Sequence, residues 1–285
     1  MSRTLAARLA ALSVLIGGCW LAYTQNPAQP PKLTISKVKG DLYAIEGDGG
    51  NVAVLVTTEG VILVDDKFER DHEAILEQVK SVTAQPVKYI LTTHYHSDHS
   101  GGNAKFLSTA EIISTANART AILEHKQPNA DDVKPARLTF TEETSIFLGG
   151  QEVRAHFFGR GHTNGDAVVF FPALRTIHTG DLMSGNTPLI DYNGGGSVVE
   201  WTKTLDAAMK LEFDTVIPGH GPVTTKAALL NYRNNVEKLR TRATALIREG
   251  KSQEDVGKVM TAEFNWAPNS LQMQWSLPGL LKELK

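Results

Sequence analysis

Between Leu33 and Asp66 apolar and polar positions alternate or gather in short blocks. LTISKV, DLYAIEG, NVAVLVTT and GVILVDD are rich in Val and Ile and are separated by Gly, Asp and Asn, the pattern of strands joined by tight turns. The period then changes. From Glu69 to Ser81 apolar residues fall at Ile75, Leu76 and Val79, a helical spacing. VKYILTT reads as a buried strand, followed by a short helix from Gly102 to Leu107, a strand EIIS and a helix from Ala116 to Glu124. Strand-like runs return in TSIFLGG, EVRAHFFG, AVVFFP and LRTIHTG. A helix from Val198 to Lys210, the strand DTVIPG and mostly helix from Thr224 complete the chain. This order predicts an α/β protein with two similar halves, each a sheet with its helices, packed sheet to sheet as a four-layer αβ/βα sandwich. No repeat is visible in the primary sequence, so the duplication rests on pattern alone.

The first 23 residues break the pattern. Arg3 and Arg8 precede an apolar stretch from Leu9 to Gly18, and no acid occurs before Asp41. A basic head and a short apolar core predict a secretory signal. Leu15 to Cys19, LIGGC, resembles a bacterial lipobox, in which the cysteine is lipidated and becomes the new N-terminus. Three fates follow from this segment: a lipoprotein, a cleaved soluble form, or an uncleaved anchor. All three predict a periplasmic or secreted protein that meets a membrane only through its N-terminus. Cys19 is the single cysteine, so no internal disulfide can form. Thr24 to Lys32, TQNPAQPPK, is a Pro/Gln tether, and one domain is expected over 33–285. The whole chain is ordinary in composition, with 41% hydrophobic and 21% charged residues and a net charge of −2. No Lys/Arg cluster marks a nucleic-acid surface. A small-molecule substrate is expected.

The chemistry gathers in THYHSDHSGG, Thr93 to Gly102, which holds three of the nine histidines. The stretch leaves the carboxyl end of a strand, where α/β proteins place their ligands. Imidazoles at His94 and His96, two apart on an extended segment, can face one ion. Asp98 and His99 on the following turn can reach another. Neutral imidazole and carboxylate suit Zn²⁺ or a similar divalent ion. Three more strand ends offer donors beside glycines: His162 in GRGHTNGD, Asp181 in TIHTGD and His220 in VIPGHGP.

HxHxDH, GHT, GD and PGHG, in that order over roughly Leu33 to Pro222, resemble the metallo-β-lactamase-fold hydrolases, a superfamily that includes glyoxalase II, lactonases and β-lactamases. The resemblance implies two Zn²⁺ per chain. His94, His96 and His162 would hold one, Asp98, His99 and His220 the other, with Asp181 bridging. Two such cations share a water, lower its pKa and present hydroxide beside a polarised carbonyl. Asp98 would also orient that hydroxide or carry a proton to the leaving group. Within the superfamily, His96 stands where flavodiiron enzymes carry glutamate, and the chain between His162 and His220 is too short for the nuclease insertion. Asp181 stands where the best-known β-lactamases have cysteine, and aspartate is what glyoxalase II and lactonases carry there. Yet no basic cluster like glyoxalase II's glutathione site is evident, and export favours a periplasmic β-lactamase. The expected activity is hydrolysis of a lactam, lactone, ester or thioester, β-lactam first. The alternatives are a mononuclear-iron sulfur dioxygenase, a glyoxalase II-like thioesterase and a metal-bearing binding protein without turnover.

The remaining polar residues have blander expectations. His156 and His178 fall on strands and should be packed and hydrogen-bonded, with His178 close enough to Asp181 to support it. His72 and His125 should face solvent. Asp65 and Asp66 either hydrogen-bond a ligand imidazole or cap a strand end. Asn164 and Asp166 read as turn residues, and Trp201 as core. The loop Met183 to Ser197, MSGNTPLIDYNGGGS, is long for a connector. It is expected to wall the cleft with Leu189, Ile190 and Tyr192 and to hinge at Gly194 to Gly196.

Overall fold

A computed structural model describes residues 32–124, 133–185 and 187–285. The signal segment, Cys19, the tether up to Pro31 and His125 lie outside the described residues. Seven strands form the first sheet: β1 (Thr34–Lys39), β2 (Leu42–Glu46), β3 (Val52–Val56), β4 (Val61–Val64), β5 (Val87–Thr92), β6 (Glu111–Thr115) and β7 (Leu138–Phe140), hydrogen-bonded in that order. The first four pair antiparallel, as their tight turns require, and β4 to β7 pair parallel. Parallel neighbours need crossovers. These are supplied by α1 (His72–Lys80), by the short α2 (Ser97–Ser100) and α3 (Asn103–Phe106), and after β6 by α4 (Ala116–Glu124).

The second sheet runs β8 (Glu143–Leu148), β9 (Gln151–Phe157), β10 (Ala167–Phe171), β11 (Thr176–His178), β12 (Thr215–Ile217) and β13 (Thr224–Thr225), in that order from one edge to the other. It repeats the scheme of the first: antiparallel through β11, then parallel between β11 and β12 across α5 (Val198–Ala208). The helices α6 (Lys226–Arg248), α7 (Gln253–Phe264) and α8 (Leu277–Glu283) follow. Among the described residues no helix is long and apolar enough to cross a membrane.

The sandwich explains why AVVFF carries no polar alternation. Ala167, Val169 and Phe171 pack against the first sheet with Leu42, Leu55 and Ile62, while Val168 and Phe170 pack against α5 and α6 with Trp201, Leu205 and Leu229. A strand covered on both faces has no position for a polar residue. The first sheet does the same, with Val61 and Leu63 facing Ile75 and Val79 of α1 while Ile62 and Val64 face the other sheet. The layers are therefore helix, sheet, sheet, helix. Trp201 is fully buried, as its amphipathic helix predicts, and its indole N–H donates to Leu182 O at 3.2 Å. The Ser197 side chain caps α5 by accepting from Glu200 N–H at 3.1 Å, the S-x-x-E pattern of a helix start.

The structure departs from the pattern in four places. Glu69–Asp71 is a 3-10 turn, and α1 begins only at His72. The strands β7 and β13, of three and two residues, are too short to show a period. The segment Gln272–Ser276 is a π-helical turn. His72 does not face solvent freely, since its ring stands edge-on to Phe106 at 4.5 Å between centroids.

Candidate metal centre

Strand ends from both sheets meet at one place. After β5 the chain bends at His94 and Tyr95 and is extended at His96 (φ −63°, ψ 142°) before α2 begins. This bend, rather than a continuous extended segment, brings the two rings together, with His94 Nε2 3.1 Å from His96 Nδ1. The turn of α2 then carries Asp98 and His99. From the second sheet, His162 follows β9, Asp181 lies in a 3-10 turn after β11, and His220 follows β12. All seven side chains fall into three overlapping groups of donors: His94, His96 and His162; His94, His99 and Asp181; and Asp98, His99 and His220.

Their inner atoms form two tripods. His162 Nε2 is 2.9 Å from His96 Nδ1, which closes a group with His94. Asp98 Oδ2 lies 3.1 Å from His220 Nε2 and 3.7 Å from His99 Nε2, which closes the second. Asp181 faces both: Oδ2 is 3.7 Å from His162 Nε2, while Oδ1 is 3.3 Å from His99 Nε2 and 3.5 Å from His220 Nε2. Ligand atoms about 2.0–2.1 Å from a tetrahedral zinc stand roughly 3.3 Å apart, within the range of these spacings. Asp181 Oδ1 is buried without a hydrogen-bond partner of good geometry among the described residues. An unsatisfied buried oxygen costs free energy, and a cation would satisfy it. The donor set and its spacing fit zinc.

The outer nitrogens fix which atom each ring turns inward. His99 Nδ1–H donates to Asp65 Oδ2 at 2.7 Å, and His162 Nδ1–H to Leu189 O at 2.7 Å. His96 Nε2–H donates to Asp191 Oδ2 at 2.9 Å. His94 Nδ1–H donates to Thr93 Oγ1 at 3.0 Å, whose own hydroxyl donates to Asp65 Oδ2 at 2.8 Å. In the neutral ring each such bond leaves a lone pair on the inner nitrogen, the arrangement that metal-ligating histidines adopt. Asp65 thus reaches two imidazoles and meets the first of its two expectations. Asp66 serves neither an imidazole nor a strand end: its Oδ1 accepts from Gly102 N–H at 2.9 Å, at the start of α3, and its other oxygen is unpartnered among the described residues.

Charge follows the same division. Burial, reinforced by the surrounding imidazoles, pushes His94 well below the usual histidine range and His162 down to about 4, so both are neutral donors. Burial would lower His99 too, but Asp98, Asp181 and Asp65 around it raise it well above that range. Burial likewise opposes ionisation of Asp181, yet His99 and His220 hold its carboxylate well below the usual value. The second tripod is a concentration of negative charge that calls for a cation. It is also the open side. The side chains of His220 and Asp98 are 35% and 26% exposed, while those of His99 and His162 are fully covered. Beside His220 a cleft of about 530 Å³ opens between Met183, Gly185, Tyr232, Asn235 and Phe264.

One supporting residue, Asn51, carries no signal that the sequence pattern exposes. Asn51 donates through Nδ2 to Pro218 O at 2.9 Å and Gly221 O at 2.8 Å, which holds the His220 turn. His178, packed and hydrogen-bonded, donates to Asn51 O and accepts from Gly180 N–H next to Asp181. A Cβ on Gly219 would lie 2.0 Å from Asp181 Oδ1, so only glycine permits that approach. His156 is buried and stacks on Phe158, but its Nε2 has no partner among the described residues. The largest correction concerns the loop after Asp181. Ile190 and Tyr192 turn toward the C-terminal helices, with Ile190 fully buried and the Tyr192 hydroxyl donating to Glu283 at 2.8 Å. The loop walls the cleft beside His220 only at its start, through Met183 and Gly185, and further on it holds two imidazoles, His162 through Leu189 O and His96 through Asp191. The Tyr95 hydroxyl and Gly194 N–H also donate to Asp191. The one foreshadowing of Asp191 is an acid between two large apolar residues in a loop that begins at Asp181.

A family model described as the metallo-beta-lactamase superfamily matches residues 45–220. The chain is 29% identical over 181 residues to metallo-beta-lactamase IND-1 of Chryseobacterium indologenes, covering 60% of this chain and 71% of that protein. It is 27% identical over 205 residues to a type 2 metallo-beta-lactamase of Elizabethkingia meningoseptica, covering 67% and 80%. Among solved structures, a metallo-beta-lactamase from Pontibacter korlensis matches with a TM-score of 0.63 at 20% identity, over 72% of this chain and 99% of that one.

Proposed function

The chain belongs to the metallo-β-lactamase superfamily, and on that premise we propose that it is an exported hydrolase of a cyclic or activated acyl bond, working with two zinc ions. The observation that carries this proposal is Asp181, whose two oxygens face separate tripods of donors. His94, His96 and His162 would hold one ion, Asp98, His99 and His220 the other, with Asp181 shared. When bound, a pair of divalent cations activates a water and polarises a carbonyl. The chain supplies position and charge. Three imidazole ligands would leave the first ion strongly Lewis-acidic, while Asp98 and Asp181 would offset charge on the open side. Asp98, at the rim, is placed to orient the attacking water and to pass a proton to the leaving group. The cleft beside His220 suits a small-molecule substrate. Both relatives named above are β-lactamases by name, which supports a β-lactam as the first substrate. Export rests on the basic head, the apolar core and Cys19.

Metal content and turnover test the proposal together. The wild-type chain is expected to carry two zinc ions, and His96→Ala and His220→Ala each to lose one ion and more than 100-fold in turnover. A β-lactam, a lactone and a thioester form the substrate panel, and turnover of the thioester alone would point to a glyoxalase II-like enzyme. Near-full turnover in His220→Ala with a single ion would sink the two-ion mechanism.

A further inference from the structure

The family match ends at residue 220, yet the chain continues through three helices whose last part returns to the centre. Its anchor is the loop that holds His96 and His162. Ser276 Oγ accepts from Ile190 N–H at 2.8 Å and donates to Ile190 O at 2.9 Å. Ile190 lies between Leu189, which binds His162, and Asp191, which binds His96. Glu283, one helix further on, accepts from the Tyr192 hydroxyl, the Ser197 hydroxyl and Val198 N–H. Two separate attachments therefore fix the segment between them.

Trp275 precedes Ser276 in the π-helical turn Gln272–Ser276. Single π-turns are rare and frequent at functional sites. This one carries the indole to 6.1 Å from His96 between ring centroids, with the planes inclined at 50°. Trp201 and Trp266 are fully buried, whereas Trp275 is only partly covered. An indole offers a large rigid apolar face that favours flat partners. Here the indole stays partly exposed beside one tripod of the centre.

We infer that Trp275 is a substrate-contacting residue that forms the wall on the His96 side and selects substrates bearing a flat apolar group on their acyl portion. The inference rests on the acyl-hydrolase proposal and adds the substituent class. It places specificity in the C-terminal segment beyond the family match. The loop at Met183 to Ser197 acts as the mount for this wall.

Binding and turnover, measured separately on the zinc-loaded full chain, test it. Phenylacetate and acetate serve as product-like probes in calorimetric titrations. The wild type should bind phenylacetate about tenfold more tightly than acetate. Trp275→Ala should bring the two within twofold with zinc content unchanged, and Trp275→Phe should restore most of the difference. For a penicillin nucleus with and without a phenylacetyl side chain, Trp275→Ala should raise KM for the first only and leave kcat within a few-fold. A tenfold preference retained in Trp275→Ala would overturn the inference. So would equal weakening of both probes together with loss of zinc, which would make Trp275 a prop for His96. If the binding preference behaves as expected but no acyl substrate is turned over, the hydrolase proposal fails and the role of Trp275 stands.

Discussion

Asp191 shows how a single side chain outside the motifs controls one inside them. It is buried, and although burial favours its neutral form, the bonds from His96 and Tyr95 hold its carboxylate well below the usual range. That charge keeps the proton on His96 Nε2 and turns Nδ1 toward His94 and His162. Asp191→Asn is expected to weaken zinc binding by about 10- to 100-fold while shifting the melting temperature of the metal-free chain by only a few degrees. Competition with a chromophoric chelator measures this, and an unchanged affinity would make Asp191 merely a brace for its loop. Asp166 offers a second residue-scale test. Burial pushes its carboxyl from 3.8 up to about 7, against the bonds it accepts from Thr163. A raised folded-state pKa means that the folded chain holds a proton the unfolded chain has lost. Its stabilisation is therefore full below about pH 4 and disappears as pH rises through 7. Relative to Asp166→Asn, the metal-free wild type should lose up to about 4 kcal/mol between those limits in urea unfolding. A difference constant with pH would refute the buried neutral carboxyl.

Among the elements, the loop from Met183 to Ser197 is the one whose role changed most between pattern and structure. The run Gly194 to Gly196 suggests a hinge, but these three are packing positions. A Cβ on Gly196 would lie 2.3 Å from His162 O, and one on Gly194 2.5 Å from an Asp191 oxygen. The backbone approaches that closely because Asp191 N–H donates to His162 O and Gly196 N–H to Asp191 O. Gly196→Ala should therefore push the loop off His162 and lower zinc occupancy, read by metal analysis after dialysis, more than it alters substrate preference. Full zinc with a shifted preference would restore the hinge.

At the scale of the whole molecule, the candidate ligands come from both sheets: His94 to His99 from the first, His162, Asp181 and His220 from the second. A cation held by both would tie the two layers together. Ligand bound only to the folded state at 100 times its Kd stabilises by about 2.7 kcal/mol, and a chain of this size shifts by about 2–4 °C per kcal/mol. Chelation should lower the melting temperature by at least about 5 °C, and Zn²⁺ but not Mg²⁺ should restore it. An unshifted transition would mean that the donors hold no ion in the folded chain.

The sequence by itself determined the layers and the chemical inventory. Period and turn residues mark the longer strands because burial on one or both faces leaves a regular trace, as in GVILVDD and AVVFF. HxHxDH and the glycine-flanked His162, Asp181 and His220 stand out because such donors are otherwise rare at the ends of apolar runs. The strands β7 and β13 left no trace, being too short to show a period. Which of Asp65 and Asp66 serves an imidazole was decided only in three dimensions. The two are adjacent in the chain, and the left-handed backbone at Asp65 (φ 65°) accompanies its turn toward His99 and Thr93. Tertiary structure alone also brought Asp191, Asn51 and Trp275 to the centre, from positions 95, 127 and 179 residues away from the groups they meet. Such contacts depend on how the two sheets and the C-terminal helices pack, and packing over those distances leaves no local period to read.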